Sequence, residues 1–341
     1  MSSKSVFVVW YSHSRRAETL ATELGGQISF QWEDRLEGHW LKPLRYLIQG
    51  WKTWCLLEQE RPETVVVQSP PIFAPLIVAT WCMLQSKTGH SKHRVSYAID
   101  CHTGTFHDPK WRWALPLLRF LSRRAAVTLV TDKAALDILQ SWKVSSLLLE
   151  DALPALGLAT GTIGSEGEAR VAVISKFDSD EPMAEVFAAA QLLPYVTFYV
   201  TGDPRWAAAT LLAQKPQNVV LTGFLRGSVY SGLLKNVHGL VVLTNEPHAV
   251  NCGAYEALAM IKPAVVSNWQ ELRRSFTRGF IHVPNTPEGI ASGVKKMLDE
   301  QARLTTEVIT MRSELLARRQ PKFEEFAALL EGKVCISPAI T

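Results

Sequence analysis

Short β-rich runs alternate with longer helical patterns along almost the whole chain, and this alternation is the strongest constraint on its fold. Residues 5–10 (SVFVVW) read as a strand, and 15–26 as a helix closed by glycine. Strands follow at 64–68, 94–100 and 127–131, with helices at 73–87, 111–125 and 134–142 between or after them. The strands are continuously apolar, and helices separate them, which predicts parallel sheets covered on both faces. Residues 152–170 are rich in Gly, Ala, Ser and Thr and break the rhythm. It then restarts, with strands at 170–175, 196–202, 218–223, 240–244 and 263–267 and helices at 181–193 and 206–214. The pattern predicts an α/β protein of two Rossmann-like, doubly wound domains facing a cleft. The expected parts are an N-terminal domain (1–155), a linker (156–169), a C-terminal domain (170–318), and a helix and tail (319–341) able to return to the N-terminal domain. Pro321 predicts a break or kink in the last helical stretch, 303–332.

Charge and cysteine usage narrow the class. A net charge of +4 over 341 residues is too small to argue for nucleic acid. Its distribution is uneven: residues 1–150 carry +5 and nine of the eleven tryptophans. Five cysteines without a regular framework suit a reducing compartment. The N-terminus has no long apolar core after a basic start, so no signal peptide is expected. The most membrane-like run, 65–84, is interrupted by Gln68, Ser69, Pro70, Pro71 and Pro75, and reads as strand, loop and buried helix rather than a span.

Residues 245–268 (NEPHAVNCGAYEALAMIKPAVVSN) carry the densest chemistry of the second half. A strand leads into a loop of Asn, His and Gly, and a helix begins with Glu256 on its second turn. A loop and helix N-terminus aimed at one spot suit an anion. An ionised carboxylate accepts hydrogen bonds only, and so suits vicinal hydroxyls. A sugar nucleotide has both features. Asn251, Cys252 and Gly253 would present backbone amides, with Asn251 also read as a helix cap.

The order strand, acidic loop, glycine, Glu-Ala-Leu-Ala helix, Lys-Pro and Val-Val over Glu246–Ser267 resembles the nucleotide-binding domain of GT-B glycosyltransferases, above all the retaining family 4. VTFYVTGD and NVVLTGFL add to the likeness, which covers most of 170–300. VQSPPIFAP and YAIDCHTGTF also resemble the inverting dolichol-pathway β-mannosyltransferase group. The resemblance implies that Glu256 accepts the ribose hydroxyls of a UDP- or GDP-sugar, and that Lys176 neutralises the leaving diphosphate. It also implies that Gly202, Gly223 and Phe224 flank the nucleotide, with His248 and Glu246 near the donor sugar. It implies no bound cofactor or metal. His248 stands where family 4 has the first of two spaced glutamates, and Asp180-Glu181 stand where a second lysine is common.

In the first half, residues 99–108 (IDCHTGTFHD) end a strand with Asp100, His102 and Thr103. A histidine there can act as general base or position hydroxyls, with Asp100 orienting it or serving as the base itself. Ser12, His13, Ser14 and Arg15 follow the first strand. They are candidates to meet the acceptor, Ser12 and Ser14 also as helix caps. The loop lacks G-x-G-x-x-G, which argues against a dehydrogenase.

Residues 40–57 place Trp40, Leu44, Leu47, Ile48, Trp51 and Trp54 on one helical stripe, with Lys42, Arg45, Gln49 and Lys52 on another. Residues 110–124 mix Lys110, Arg112, Arg119, Arg123 and Arg124 with Trp111, Trp113 and Phe120. Each stripe reads either as core or as a membrane surface. The expected function is transfer of a sugar to a glycan or polyprenyl-diphosphate-linked acceptor. The expected place is the cytoplasmic face of the membrane, with peripheral attachment. The alternatives are a nucleotide-sugar epimerase of the same fold and a non-catalytic partner of a transferase.

Overall fold

The computed structural model describes residues 4–33, 39–88, 95–156 and 169–332. Most of the expected linker, residues 157–168, and the end of the expected tail, 333–341, lie outside the described residues. The chain divides into two compact units. Unit 1 comprises Met1–Ala152 with Arg318–Thr341, and unit 2 comprises Leu153–Ala317.

Unit 1 runs β1 (Ser5–Val9), α1 (Arg15–Glu23), β2 (Gln27–Phe30), α2 (Lys42–Glu60), β3 (Thr64–Ser69), α3 (Phe73–Thr88) and β4 (Ser96–Cys101). It continues with α4 (Gly104–His107), a 3-10 turn at Pro109–Ala114, α5 (Leu115–Ser122), β5 (Val127–Val130), α6 (Lys133–Ser141) and β6 (Ser146–Leu148). The six strands form one parallel sheet in the order β2-β1-β3-β4-β5-β6. β1, β3 and β5 are buried along their whole length, as strands covered on both faces must be. On one face Val6, Val8, Val65, Val67 and Ile99 pack with Ile72, Val78, Trp81 and Leu118. On the other, Phe7, Val66, Ala98 and Leu129 meet Leu20 of α1 and Phe326 and Leu329 from the C-terminal end of the chain.

Unit 2 repeats the plan with β7 (Ala169–Val173), α7 (Met183–Leu192), β8 (Val196–Thr201), α8 (Ala209–Leu212), β9 (Val219–Gly223), α9 (Gly227–Asn236) and β10 (Gly239–Val242). Then come α10 (Cys252–Met260), β11 (Ala264–Ser267), α11 (Gln270–Ser275), β12 (Phe280–Val283), α12 (Pro287–Asp299) and α13 (Gln301–Leu330). Its parallel sheet has the order β12-β11-β10-β7-β8-β9. Sequence patterning misses β2, β6 and β12, short strands at sheet edges, and also the helices α4, α9, α11 and α12.

Pro321 does not break α13, which runs as one helix through it. Proline removes one backbone donor, but here tertiary anchors outweigh that loss. The Arg319 guanidinium is buried. It donates to both oxygens of Glu23 at 2.7 Å and to the Glu150 carbonyl at 3.0 Å. Arg318 forms a fork on the Glu150 carboxylate, and Phe326 is fully buried. Truncating Phe326 to Ala should cost unit 1 about 3–5 kcal/mol, the usual range for a large buried aromatic. Denaturant unfolding followed by tryptophan fluorescence measures it. A loss below about 1 kcal/mol would mean that this end of the helix is not part of the unit 1 core.

Candidate functional site

In each sheet the chain winds outward in one direction and then returns to the other side of its first strand. Such reversals open a crevice beyond the carboxyl ends of the two strands concerned. In unit 1 they are β1 and β3. In unit 2 they are β7 and β10. The expected site residues fall on these two edges, and each edge is described by itself.

At the unit 1 edge, Asp100 lies near the end of β4 and is only 2% exposed. Arg16 donates through Nε to Asp100 Oδ1 at 2.9 Å and Oδ2 at 3.1 Å, and through Nη1 to Asp151 at 2.6 Å and the Leu149 carbonyl at 2.9 Å. Nε2 of His102 lies 3.4 Å from Asp100 Oδ2, and the ring is half-buried. Burial works to raise the Asp100 carboxyl, but Arg16 and His102 outweigh it and hold it at about 2. Asp100 is thus a poor proton acceptor near neutrality. At 3.4 Å, His102 Nε2 makes no hydrogen bond to it. Thr103 precedes the short helix α4.

Arg16 is the residue that sequence reasoning missed. A signal existed: Arg15 and Arg16 stand in the first turn of α1, where a cation opposes the helix dipole and so needs an acidic partner. Of the other candidates, Ser14 is buried as the cap of α1, its hydroxyl accepting from the Ala17 amide. Ser12 and His13 are exposed, and His13 lies 3.3 Å from Glu18. Arg15 is half-buried.

At the unit 2 edge, Glu256 is 3% exposed on α10. The Tyr230 hydroxyl, from α9, donates to its Oε2 in a short hydrogen bond. Nothing in the sequence pairs Tyr230 with Glu256. Asn251 holds the cap position of α10, but its side chain makes no capping bond, and its Oδ1 is buried without a hydrogen-bond partner. The expected capping by Asn251 is therefore not made. Gly253 is small for a packing reason: a Cβ there would meet Val242 Cγ1 at 3.0 Å and Ile174 Cγ2 at 3.1 Å. Its neighbour Cys252 is exposed. Gly202 (φ +97°) is likewise pressed against the loop after β7, since a Cβ would lie 2.6 Å from the Ser175 carbonyl oxygen. Gly223 (φ +72°) faces open space. Exposed Phe224 carries the Arg226 guanidinium 4.9 Å above its ring.

The loop after β7 holds an anion of its own. The Glu181 carboxylate accepts from the Lys176 amide at 3.1 Å, the Phe177 amide at 3.0 Å and the Ser175 hydroxyl at 2.5 Å. Phe177 takes φ +61° to make this cradle. Burial pushes the Glu181 carboxyl above its ordinary value, against the pull of those hydrogen bonds. The Lys176 side chain is exposed beside it. Asp180 accepts from Thr244 at 2.9 Å and so ties this loop to the one after β10. Ser267, Trp269 and Asn285 complete that network around the Thr244 backbone. It fixes the start of the loop bearing exposed Glu246 and half-buried His248.

No family model and no curated protein sequence matches the chain. Solved structures do. A sucrose-phosphate synthase of Thermosynechococcus elongatus superposes with a TM-score of 0.69 at 12% identity, over 97% of this chain and 99% of its own. Anabaena HepE, solved in complex with UDP-glucose, gives 0.69 at 13% identity, over 96% and 100%. A glycosyltransferase from Rickettsia africae gives 0.63 at 10%, over 99% and 100%. The fold is GT-B. At these identities the likeness carries the fold alone.

The Arg16–Asp100 pair makes a testable demand on stability. Removing one partner of a buried pair strands the other, which costs about 3–5 kcal/mol. Arg16→Met should therefore melt well below wild type at pH 7. Asp100 has its folded value depressed, so its contribution is complete above the ordinary carboxylate value of 3.8 and is lost as pH falls toward about 2. The gap between the two proteins should narrow over that window. Thermal melts at pH 7, 4 and 2.5 measure it, and a gap independent of pH would contradict the pairing.

Proposed function

We propose that the protein is a glycosyltransferase that moves a sugar from a UDP- or GDP-sugar to a glycan or polyprenyl-diphosphate-linked acceptor, working peripherally at the cytoplasmic face of the membrane. One observation carries the donor half. At the β7/β10 crevice, Lys176 stands on the loop after β7, while the start of α10, without a side-chain cap, and the buried Glu256 carboxylate on the same helix follow β10. A nucleoside diphosphate sugar needs a cation and amides for its diphosphate and an acceptor for its ribose hydroxyls. The GT-B fold and the UDP-glucose bound by HepE support the reading. So do the motif likenesses to family 4 and to the β-mannosyltransferase group, although the family 4 pair of glutamates is incomplete at His248.

In this reading residues 170–318 hold the donor and 1–155 the acceptor, with 156–169 as the connection and 319–341 as part of the acceptor half. Glu256 receives the ribose, with Tyr230 holding its second oxygen. Asn251, Cys252, Gly253 and Lys176 take the diphosphate, where negative charge grows as the bond to the sugar breaks. Glu246 and His248 meet the donor sugar, and Gly202, Gly223 and Phe224 border the nucleotide. On the acceptor side His102, beside the Asp100 carboxylate, takes the acceptor hydroxyl's proton. Thr103, Ser12, His13 and Arg15 surround the acceptor.

Three substitutions test the reading by calorimetry with UDP and GDP and by turnover. Glu256→Ala should weaken nucleotide binding at least tenfold, about 1.4 kcal/mol. Unchanged affinity in a folded variant would remove Glu256 from the site. Glu181→Gln takes a like charge away from the diphosphate and should tighten binding roughly threefold, an order-of-magnitude Coulomb estimate. Weaker binding would show that Glu181 instead shapes the loop the ligand needs. His102→Ala should lower turnover by about 10²–10⁴ with donor affinity kept. Near-normal turnover would place the base elsewhere, with His13 next.

A further inference from the structure

The helix α2 carries two apolar sides. The side it turns to the unit 1 core buries Gln49, Gly50, Thr53 and Leu57 and packs half-buried Tyr46, Trp54 and Leu56. Gln49 donates to the Gln31 carbonyl at 2.5 Å, Thr53 accepts from the Trp10 indole at 2.9 Å, and Gly50 lets Ile77 pack close. The other side is Trp40, Leu44, Leu47 and Trp51. These are spaced four, three and four residues apart, and Trp40 is 96%, Leu47 72% and Trp51 67% exposed. A helix on a sheet normally buries its apolar stripe. Here a second apolar stripe, Trp40, Leu44, Leu47 and Trp51, points away from the core, so it has a partner other than this core.

Charge identifies the partner. α2 packs against α3 and α3 against α5. Residues 39–60, 70–88 and 109–131, which make up this layer, hold nine Lys or Arg and two acids, Glu58 and Glu60, both at the C-terminal end of α2 and paired with Arg61 and Lys4. Some of the cations are engaged. Lys52 pairs with Glu33, Lys110 with Asp108, and Arg45 stacks over Trp32 at 4.7 Å. Arg112, Arg119 and Arg123 are exposed without an acidic partner among the described residues. They flank Trp113, 67% exposed, and exposed Phe120. A layer in which cations far outnumber acids, with tryptophans at the surface, matches the interface of an anionic bilayer. Membrane crossing is a different matter, since no helix of the described residues is long and apolar enough for it.

The same layer leads to the candidate acceptor loop. Trp113 touches Phe73 (ring centroids 6.1 Å apart), Phe73 touches Tyr46 (5.3 Å) and Tyr46 touches Trp10 (6.1 Å). Arg45 bridges Tyr46 and Trp32, and Trp32 stacks on Tyr11 at 6.2 Å. An aromatic strip thus runs from the exposed surface to the residues just before Ser12.

We propose that the α2–α5 layer of unit 1 lies on an anionic lipid bilayer, with Trp40, Leu44, Leu47, Trp51 and Trp113 in the headgroup region and Arg112, Arg119 and Arg123 on lipid phosphates. The aromatic strip admits a lipid chain from there toward Tyr11. This use of the strip rests on the lipid-linked acceptor of the proposed function, whereas the docking itself does not.

Co-sedimentation with phosphatidylcholine vesicles, with and without 30 mol% phosphatidylglycerol (about that fraction gives a clear negative surface potential), tests it. The full chain should bind the anionic vesicles, with affinity falling as salt rises. Trp40→Ser with Trp51→Ser should weaken binding at least tenfold, as should Arg119→Gln with Arg123→Gln. All four side chains point outward, so these variants should keep the wild-type melting temperature. UDP binding by each variant, measured in the same samples, should be unchanged. No vesicle binding by wild type would overturn the proposal, as would equal binding by the Trp variant. So would sedimentation showing the Trp face buried between two copies of the chain. Vesicle binding without any nucleotide binding would leave the docking standing and sink the transferase reading.

Discussion

Every strand pairing in both sheets is parallel, and that fixes where this chain can do chemistry. A parallel strand must be re-entered from the same end, so each one delivers its following loop to the same edge of the sheet. The residues able to bind or react therefore gather at two edges, although they are scattered over 250 positions. Polar ends of buried strands need partners there. In unit 2 Ser267, Asn285, Trp269 and Asp180 all bond to Thr244 or its backbone. That satisfaction also holds the loop after β10 in one shape before any ligand arrives.

Three buried or part-buried carboxylates at these edges are answered in three ways, and the answer sets what each can do. Asp100 meets a full positive charge on Arg16, which outweighs its desolvation and keeps it ionised. Glu181 meets neutral amides and a hydroxyl, which do not fully offset burial, so its ionised form is less secure. Glu256 meets a phenol, a donor that another hydroxyl can replace without stranding a charge pair. The first carboxylate is suited to keeping its charge, the second to holding a loop that an incoming anion would contest, and the third to exchange with a ligand hydroxyl. Swapping one neutral donor for another changes the net energy by about 1 kcal/mol, whereas stranding a buried charge costs several.

Much of the fold was legible because the apolar runs of β1, β3, β7 and β10 are long enough to declare buried parallel strands. The edge strands β2, β6 and β12 were not: they are only partly buried, and polar residues such as Gln27, Ser146 and His282 break their apolar runs, whereas β10, also four residues long, is fully buried. The candidate site was legible where a motif is local, as at Glu256 and Asp100-Cys-His102. It was not legible where the partner is distant: Arg16 lies 84 residues from Asp100, and Tyr230 lies 26 from Glu256. Gly253, read as presenting a backbone amide, is small for a packing reason that the motif does not show, since Val242 and Ile174 crowd its Cβ position. Pro321 was read as a break, but buried anchors on Arg319 and Phe326 carry the helix through it.

The case of α2 shows a limit of periodicity itself. The spacing of Trp40, Leu44, Leu47 and Trp51 establishes that one face is apolar, but spacing is blind to which side the sheet is on. What decides is the opposite face. Gln49 and Thr53 can go inward because Gln31 and Trp10 offer each a hydrogen bond, and Gly50 because Ile77 fills its space. With those two bonds made, turning α2 over to bury Trp40 and Trp51 would break both, at about 1–3 kcal/mol for each group stranded. It would also pull Tyr46, on α2 itself, away from the Trp10 and Phe73 rings it packs against. The apolar stripe is thus held outward by the packing beneath it, and the tryptophans are left for a partner that the fold does not contain.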